Sequence, residues 1–263
     1  MVSNMNSISK KIRSHILQLV FNANASHVGS ALSIADMLVA VYYSKKLNFD
    51  PLSKNHSFVL SKGHACAALY AILFDKGLIK DDDFYSYGKD GSILMHHSSH
   101  KVTGVELSTG SLGHGLSFTL GQALAQKIRG IHGKNICLIG DGELAEGSNW
   151  EAMLFAGHQK ISNLTLIIDN NDLQSLTTVA NTLNLYPIDK KFEAFGWHVI
   201  EVDGHNFEQL ENALLERVDR PTVIIAKTIK GKGVSFMENE VKWHYKNPNE
   251  EEYKTALLEI KNA

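Results

Sequence analysis

Apolar residues in the first third of the chain recur with helical spacing. This spacing predicts helices over residues 8–23, 32–45 and 63–77. Ser33 and Asp36 form a possible capping pair for the second helix, and Gly77 is placed to end the third. We therefore expect this part of the chain to be mostly helical.

The pattern changes after Gly110, where a glycine turn opens a helix and short apolar runs then alternate with helical segments. The predicted strands are 135–140, 164–169, 198–203 and 222–228, and the helices near them are 148–160, 192–196 and 206–219. Ser148 and Glu151 read as a capping box for the first of these helices. The alternation predicts an α/β fold, a mostly parallel sheet with helices on both faces.

Bulk composition excludes some classes of function. A formal net charge of -2 over 263 residues gives no electrostatic basis for binding nucleic acid or a membrane surface. No run approaches the roughly 18 apolar residues of a membrane span. Cys66 and Cys137 lack metal-type spacing, so we expect two buried, reduced thiols in a cytoplasmic protein.

Polar residues follow two successive predicted strands. Asp141 and Gly142 come directly after the first strand, and Asn170 and Asn171 end the next one about 30 positions later. One crossover helix between parallel strands brings these ends side by side. Carboxylate and amide oxygens suit Mg²⁺ or Ca²⁺ together with substrate phosphates. Either turn alone could be an ordinary polar turn, but the pair favours a metal and diphosphate site.

Several longer motifs extend this interpretation across most of the chain. GDG followed by NN resembles the signature of thiamine diphosphate enzymes. The segments SHVGSALSIADMLVAVYY, FVLSKGHACAALYAIL, GVELSTGSLGHGLS, GDGELAEGSNWEA and TVIIAKTIKGKGVSFMENEVKWH resemble transketolases in content and order. The resemblance is closest to the N-terminal subunit of transketolases that are split into two chains.

The resemblance implies a cofactor and a metal site. Asp141, the Asn171 side chain and the Leu173 carbonyl would hold the divalent metal, Mg²⁺ or Ca²⁺. Thiamine diphosphate would be bound through Gly142 and His64.

Further roles also follow from the resemblance. Lys230 is a weaker diphosphate candidate, and Gly110 and Leu112 would frame the cofactor rings. Glu146, on the cofactor side, would communicate across a subunit interface.

Three histidines are implied to be catalytic. His27 and His97 would face the ketol end of the substrate, and His244 would lie between the diphosphate and the substrate. Histidine suits proton movements near neutral pH. Taken alone, each histidine is more often structural than catalytic, and His27 and His64 could be cap or packing residues. The run His96, His97 and His100 has metal-like spacing, but its counterpart in the family binds no metal.

The resemblance also implies an incomplete active site. Residues 1–263 would form a single diphosphate-binding domain with a C-terminal loop and tail, and the pyrimidine-binding domain is absent. A second, C-terminal subunit would supply that domain, giving a heteromer such as α₂β₂ that transfers a two-carbon ketol unit between sugar phosphates. The chain alone would be inactive.

Departures from the family pattern leave alternatives open. The segment HHSS around His97, His114 in SLGHG, and SLTT after DNNDLQ differ from the usual sequences on the substrate side. The alternatives are a specialised ketol- or acyl-transferring enzyme, one chain of a 2-oxoacid-type thiamine diphosphate enzyme, and a non-catalytic partner subunit. The donor and acceptor sugars, the identity of the partner and the stoichiometry stay open.

Overall fold

A parallel β-sheet lies at the centre of the molecule. A computed structural model describes the backbone of residues 2–262 and the side chains of 4–262. In this range the strands are β1 (Ser57–Leu60), β2 (Asn135–Gly140), β3 (Leu164–Asn170), β4 (His198–Asp203) and β5 (Thr222–Lys227). They pair in the order β1-β2-β3-β5-β4, and every pair is parallel. The predicted fold class is confirmed.

Helices cover both faces of this sheet. They are α1 (Val2–Asn22), α2 (Val28–Ser33), α3 (Ala35–Tyr43), α4 (Cys66–Asp75), α5 (Asp81–Tyr85), α6 (Gly115–Arg129), α7 (Gly147–His158), α8 (Val179–Thr182), α9 (Ile188–Ala194), α10 (Phe207–Leu215) and α11 (Glu250–Asn262). Single 3₁₀ turns lie at Gly63–Ala65, Gly142–Ala145 and Val241–His244.

Alternate strand residues build two separate cores. On β2, Ile136 and Leu138 join the core with α1, α3 and α4, whereas Cys137 and Ile139 join the core with α6 and α7. Successive strand side chains point to opposite faces, so a strand buried on both faces reads as a continuous apolar run. Both thiols are free and buried.

Strand β1 lies in the first third of the chain, which the sequence pattern predicts to be mostly helical. Its apolar run is only four residues long, Ser57–Leu60. Periodicity cannot separate so short a run from helix. The strand pairs with β2 and delivers the segment from Ser61 to His64 to the same sheet edge as Asp141.

Both predicted capping pairs are wrong. Ser33 lies at the end of α2, and its hydroxyl donates to Asp169 instead of capping α3. Ser148 donates to the Gly113 carbonyl, and the N-cap of α7 is Glu146, without a side-chain cap bond. In each case a tertiary partner takes the hydroxyl that local sequence assigns to a helix end.

The C-terminal tail after β5 also contains more structure than the expected loop. Helix α11 packs on α1, and the rings of Phe21 and Tyr253 stack at 4.2 Å between centroids. Ala256 and Ile260 of α11 are buried in the core beside α1.

Candidate active site

The two oxygen-rich turns lie side by side at the carboxyl edge of the sheet. Gly140 is in register with Asp169, and the Asp141 amide donates to the Asp169 carbonyl at 3.1 Å. This adjacency confirms the spacing argument that one crossover helix separates two neighbouring strand ends.

A cavity of about 290 Å³ opens at this edge. It brings together almost every site residue named from the sequence: His27, His64, His97, Gly110, Leu112, Asp141, Gly142, Asn171, Leu173, Lys230 and His244. Glu146 is the exception, being exposed at the start of α7 and outside the cavity lining.

Asp141 is a buried acid. It is 3% exposed, and its carboxylate accepts from the Gly142 amide at 2.7 Å and from the Asp172 amide at 2.6 Å. Burial and the neighbouring Asp169 carboxylate raise the pKa of Asp141 to about 7. An acid in this position gains from a cation that is placed against it.

Asn171 is oriented by its neighbours. Its amide nitrogen donates to Asp169 at 3.0 Å and to the Ser33 hydroxyl at 3.3 Å. Its amide oxygen accepts from the Leu173 amide at 3.1 Å. Asp141, Asn171 and Leu173 therefore present a carboxylate, an amide oxygen and a carbonyl, which are the hard oxygen donors that Mg²⁺ and Ca²⁺ prefer.

A buried ion pair lies beneath these donors. Lys62 contacts Asp169 at 2.5 Å, and both side chains are almost fully buried. Burial opposes ionisation of Asp169, but Lys62 and the hydroxyls of Ser33 and Thr228 outweigh it and lower the pKa of this carboxyl. Lys62 is thereby engaged by Asp169, and Asp141 is left without a salt bridge among the described residues.

Lys230 forms a cationic wall of the cavity. Its side chain is buried, and its ammonium donates to the carbonyls of Leu173 at 3.1 Å and Gln174 at 2.9 Å. It also lies 3.3 Å from Nδ1 of His244. Burial and the Lys62 charge lower the pKa of Lys230 to about 8.

The histidines pack ring against ring around His27. The His27 ring centroid is 5.1 Å from that of His64, 5.0 Å from that of His244 and 6.1 Å from that of His97. His27 has a φ of 72°, and its amide donates to the His244 carbonyl at 2.8 Å. Burial lowers the pKa of His27 to about 4 and that of His244 to about 3, so both imidazoles are neutral at pH 7.

Glu143 positions the glycine turn of the cavity, a role that the sequence did not reveal. Its buried carboxylate accepts from the Gly113 amide at 2.9 Å and from the Ser61 hydroxyl. The signal was present as the second acid of GDGE, but its partners lie 30 and 82 positions away. The other lining residues that sequence patterns did not indicate are Ser30, Lys62, Gly140, Gln174, Ser175 and Tyr245.

The cavity has features that fit a metal-bound diphosphate. Gln174 Nε2 is buried without a hydrogen-bond partner in the described structure, so it is a donor free for a ligand oxygen. A Cβ on Gly142 would meet Gln174 Cγ at 3.0 Å, so a side chain here would have to push Gln174 aside.

The composition of the donor set also bears on the metal. No three His, Cys, Asp or Glu side chains within residues 2–262 are grouped to hold an ion, and this includes the run from His96 to His100. A metal here would therefore rest on one carboxylate, neutral oxygens and ligand phosphates.

Comparison with known proteins identifies the family. Residues 4–257 match the family model described as transketolase, thiamine diphosphate binding domain. The chain belongs to the transketolase family. Its members are thiamine diphosphate-dependent transferases, so the histidine-lined cavity lies in an enzyme domain of known type.

Relatives of similar length are named as subunits. The chain is 38% identical over 259 residues to one subunit of the apulose-4-phosphate transketolase of Phocaeicola vulgatus, covering 96% of this chain and 92% of the relative. It is 40% identical over 262 residues to the protein of the same name from Actinobacillus succinogenes, covering 97% and 95%.

Full-length transketolases match over part of their length. Human transketolase is 37% identical over 244 residues, which are 90% of this chain and 39% of the human protein. The solved transketolase of Campylobacter jejuni superposes with a TM-score of 0.87 at 31% identity, covering 98% of this chain and 42% of that one. Within residues 2–262, no helix has the length and apolar character needed to cross a bilayer.

Proposed function

We propose that this chain is the N-terminal, diphosphate-binding subunit of a split transketolase. The enzyme would transfer a two-carbon ketol unit from a ketose phosphate to an aldose acceptor. The observation that carries the proposal is the single cavity that joins the Asp141 and Asn171 turns to the rings of His27, His97 and His244.

In this proposal the metal is Mg²⁺, or Ca²⁺, held by Asp141, Asn171 and the Leu173 carbonyl. Two observations support these ligands. They form a set of oxygen donors, and Asp141 is buried and has no salt bridge among the described residues. The metal would balance the diphosphate charge. It would also favour the ionised form of Asp141, whose pKa is otherwise raised.

The remaining cofactor contacts follow the shape of the cavity. Gly142 and His64 would bind the diphosphate with Lys230, and Gly110 and Leu112 would border the rings. When bound, thiamine diphosphate supplies the electron sink for breaking and forming the carbon–carbon bond. Lys230 would bring a buried ammonium that faces the Leu173 turn.

The histidines would move protons on substrate hydroxyls. His27 and His244 are neutral at pH 7. In each ring one nitrogen can therefore donate a proton and the other can accept one. Burial also lowers the pKa of His97. His27 and His97 would face the ketol end, and His244, beside Lys230, would lie between the diphosphate and the substrate.

A second chain would complete the enzyme. Two relatives of nearly the same length are named as subunits, and this chain spans only about two fifths of the single-chain enzymes. The partner would carry the pyrimidine-binding domain, in an assembly such as α₂β₂. Exposed apolar residues are available for the interface on α6, α7 and the segment after β3: Phe118, Leu154, Phe155, Leu176 and Leu183.

Glu146 belongs to this interface in the proposal. It is exposed in the described chain and sits at the N-cap of α7, next to the glycine turn that lines the cavity. A partner seated on α7 would cover it. We also propose that the enzyme is cytoplasmic, because its two thiols are free and buried.

The substrates are expected to be sugar phosphates outside the standard set. One relative is named for a sugar phosphate, apulose 4-phosphate, and another for a sulfonated sugar, 6-deoxy-6-sulfo-D-fructose. The unusual segments around His97 and His114, and Tyr245, lie on the substrate side. Tyr245 lines the cavity with its ring centroid 4.8 Å from that of His244.

Co-purification with the partner tests this proposal. The complex, with thiamine diphosphate and Mg²⁺, should transfer a ketol unit from a ketose phosphate to an aldose, and the isolated chain should not. Pyruvate decarboxylation is measured in parallel. Activity towards pyruvate without ketol transfer would favour a 2-oxoacid-type enzyme, and a complex inactive in both assays would favour a non-catalytic role.

A further inference from the structure

A second and larger cavity lies at the opposite edge of the sheet. Its volume is about 490 Å³, and it shares no residue with the cavity of the histidines. It is bordered by Asn163, Thr165 and Thr222, near the amino ends of β3 and β5. The length of a strand, roughly 15–20 Å, separates it from Asp141.

Cationic side chains predominate around this cavity. Lys127 at the end of α6, Lys134 before β2 and Arg217 after α10 line it, and Glu216 is the one carboxylate among the described lining residues. His56 and His132 complete the ionisable groups. Three separate segments thus bring positive charge to one concave surface.

Two of these cations are partly engaged by helix ends. Lys127 donates to the carbonyls of Gln159 and Lys160 at the end of α7. Arg217 donates through Nη1 to the carbonyls of Leu215 and Glu216 at the end of α10. These acceptors are neutral, so both side chains keep their full charge and Arg217 keeps donors for a ligand.

Lys134 is different, because its ammonium has no acceptor. The residue is 8% exposed and lines the cavity, and its side chain makes no hydrogen bond or ion pair within the described structure. Burial and the Arg217 charge lower its pKa to about 7. Burial of most of this side chain disfavours its charged form, and an anion in the cavity would favour that form.

We propose that this cavity binds a small phosphate monoester, of sugar-phosphate size, whose dianion pairs with Lys134 and Arg217. A volume of about 490 Å³ is in the range of small-molecule sites. The site is separate from the cofactor cavity and does not depend on the proposed transketolase function.

Calorimetric titration with ribose 5-phosphate, inorganic phosphate and ribose tests the proposal. The chain should bind both phosphates, and ribose should not bind. Lys134→Met should weaken phosphate binding roughly tenfold or more, since it removes a charge-assisted hydrogen bond. Lys230→Met removes the buried lysine of the histidine-lined cavity. It should leave the affinity for phosphate at the cavity of Lys134 unchanged.

Unchanged phosphate affinity in Lys134→Met, or no phosphate binding by the wild-type chain, would overturn the proposal. Thermal unfolding checks that the variant is folded. If it is not, Arg217→Gln at an exposed position serves instead, with the same expected weakening.

Sulfate provides a second readout, because its charge is constant between pH 7 and 9. Its affinity should fall over this range as Lys134 loses its proton, and Lys134→Met should abolish the pH dependence. The other groups facing the anion are His56, Lys127, His132, Glu216 and Arg217. Sulfate binding with the same pH dependence in Lys134→Met would exclude Lys134 as the anion partner.

Discussion

The ammonium of Lys230 donates a hydrogen bond to the main-chain carbonyl of Leu173 at 3.1 Å. Leu173 is a proposed metal ligand, so without metal the ammonium takes up one lone pair of the carbonyl that the metal would use. Cation and carbonyl lie on the same wall of the cavity. A diphosphate that enters with its metal would meet Lys230 directly.

Replacing Lys230 should therefore weaken cofactor binding. In Lys230→Met we expect thiamine diphosphate affinity to fall roughly tenfold or more, because an ion pair with a phosphate oxygen is lost. Lys227→Met is the matched control, since Lys227 is exposed and pairs with Glu201 at the surface. Calorimetry in Mg²⁺ measures both, and equal losses in the two variants would contradict a specific role for Lys230.

Asp141→Asn should separate folding from metal binding. The amide has the same shape but no charge. Only the amide oxygen can accept, so one of the two backbone hydrogen bonds to this side chain is lost. This loss opposes the gain from removing a buried acid whose pKa is raised, and the free energy of unfolding without metal should therefore change little. Metal-dependent cofactor binding should be lost. Asp172→Asn, at the exposed neighbour with a φ of 61°, should keep it. Retained metal-dependent binding in Asp141→Asn would remove Asp141 from the metal site.

His27→Asn should affect turnover more than cofactor binding. Asparagine tolerates the positive φ of position 27, so the backbone can be preserved. Losing a positioned proton carrier should lower the turnover of the two-subunit enzyme roughly 10²–10⁴-fold. His198→Asn, at the amino end of β4 and outside the cavity, is the control. Steady-state kinetics together with calorimetry decide, and unchanged turnover in His27→Asn would rule out a catalytic role.

The Arg13–Asp36 ion pair should contribute stability with a definite pH dependence. Both carboxylate oxygens of Asp36 accept from the Arg13 guanidinium, at 2.8 and 2.6 Å, and His205 Nδ1 lies 2.8 Å away. Burial alone would raise the pKa of Asp36, but Arg13 outweighs it and holds this pKa well below the usual range. Asp36→Asn should cost about 3–5 kcal/mol of unfolding free energy at pH 7.

The sign of this pH effect follows from the lowered pKa. The stabilisation is complete above the unfolded-state pKa of about 3.9 and is lost as pH falls further towards the folded-state value. Denaturant unfolding should show a constant difference between wild type and Asp36→Asn from pH 7 to about 5 and a shrinking one below about 4. Asp90→Asn, in an exposed turn, should show little difference at any pH. A difference that already shrinks between pH 7 and 5 would contradict the ion-pair assignment.

Local pattern was enough to predict the sheet edge. One apolar run ends before Asp141 and the next ends before Asn171, with one helix between the two runs. This order makes the ends of the two strands neighbours in the sheet. Such spacing arguments succeed because parallel strands need a crossover, and because ligands collect at the carboxyl ends.

Long-range polar pairing was not readable from the sequence. Lys62 and Asp169 are 107 positions apart, and neither lies in a pattern that names the other. Ser33 resembles a helix cap in local sequence, whereas its actual acceptor, Asp169, lies 136 positions away. The sequence pattern does not distinguish the buried Glu143 from the exposed Glu146. Their difference in burial depends on how the glycine turn packs against Ser61.

Titration of the purified chain with thiamine diphosphate, in Mg²⁺ and again with a chelator, tests the central claim most directly. The cavity around Asp141 and Asn171 predicts saturable binding that requires the metal. The same titration on the complex with the partner chain tests whether the site is completed only at the subunit interface. Equal affinity with and without metal, or no binding to that complex in Mg²⁺, would contradict the account.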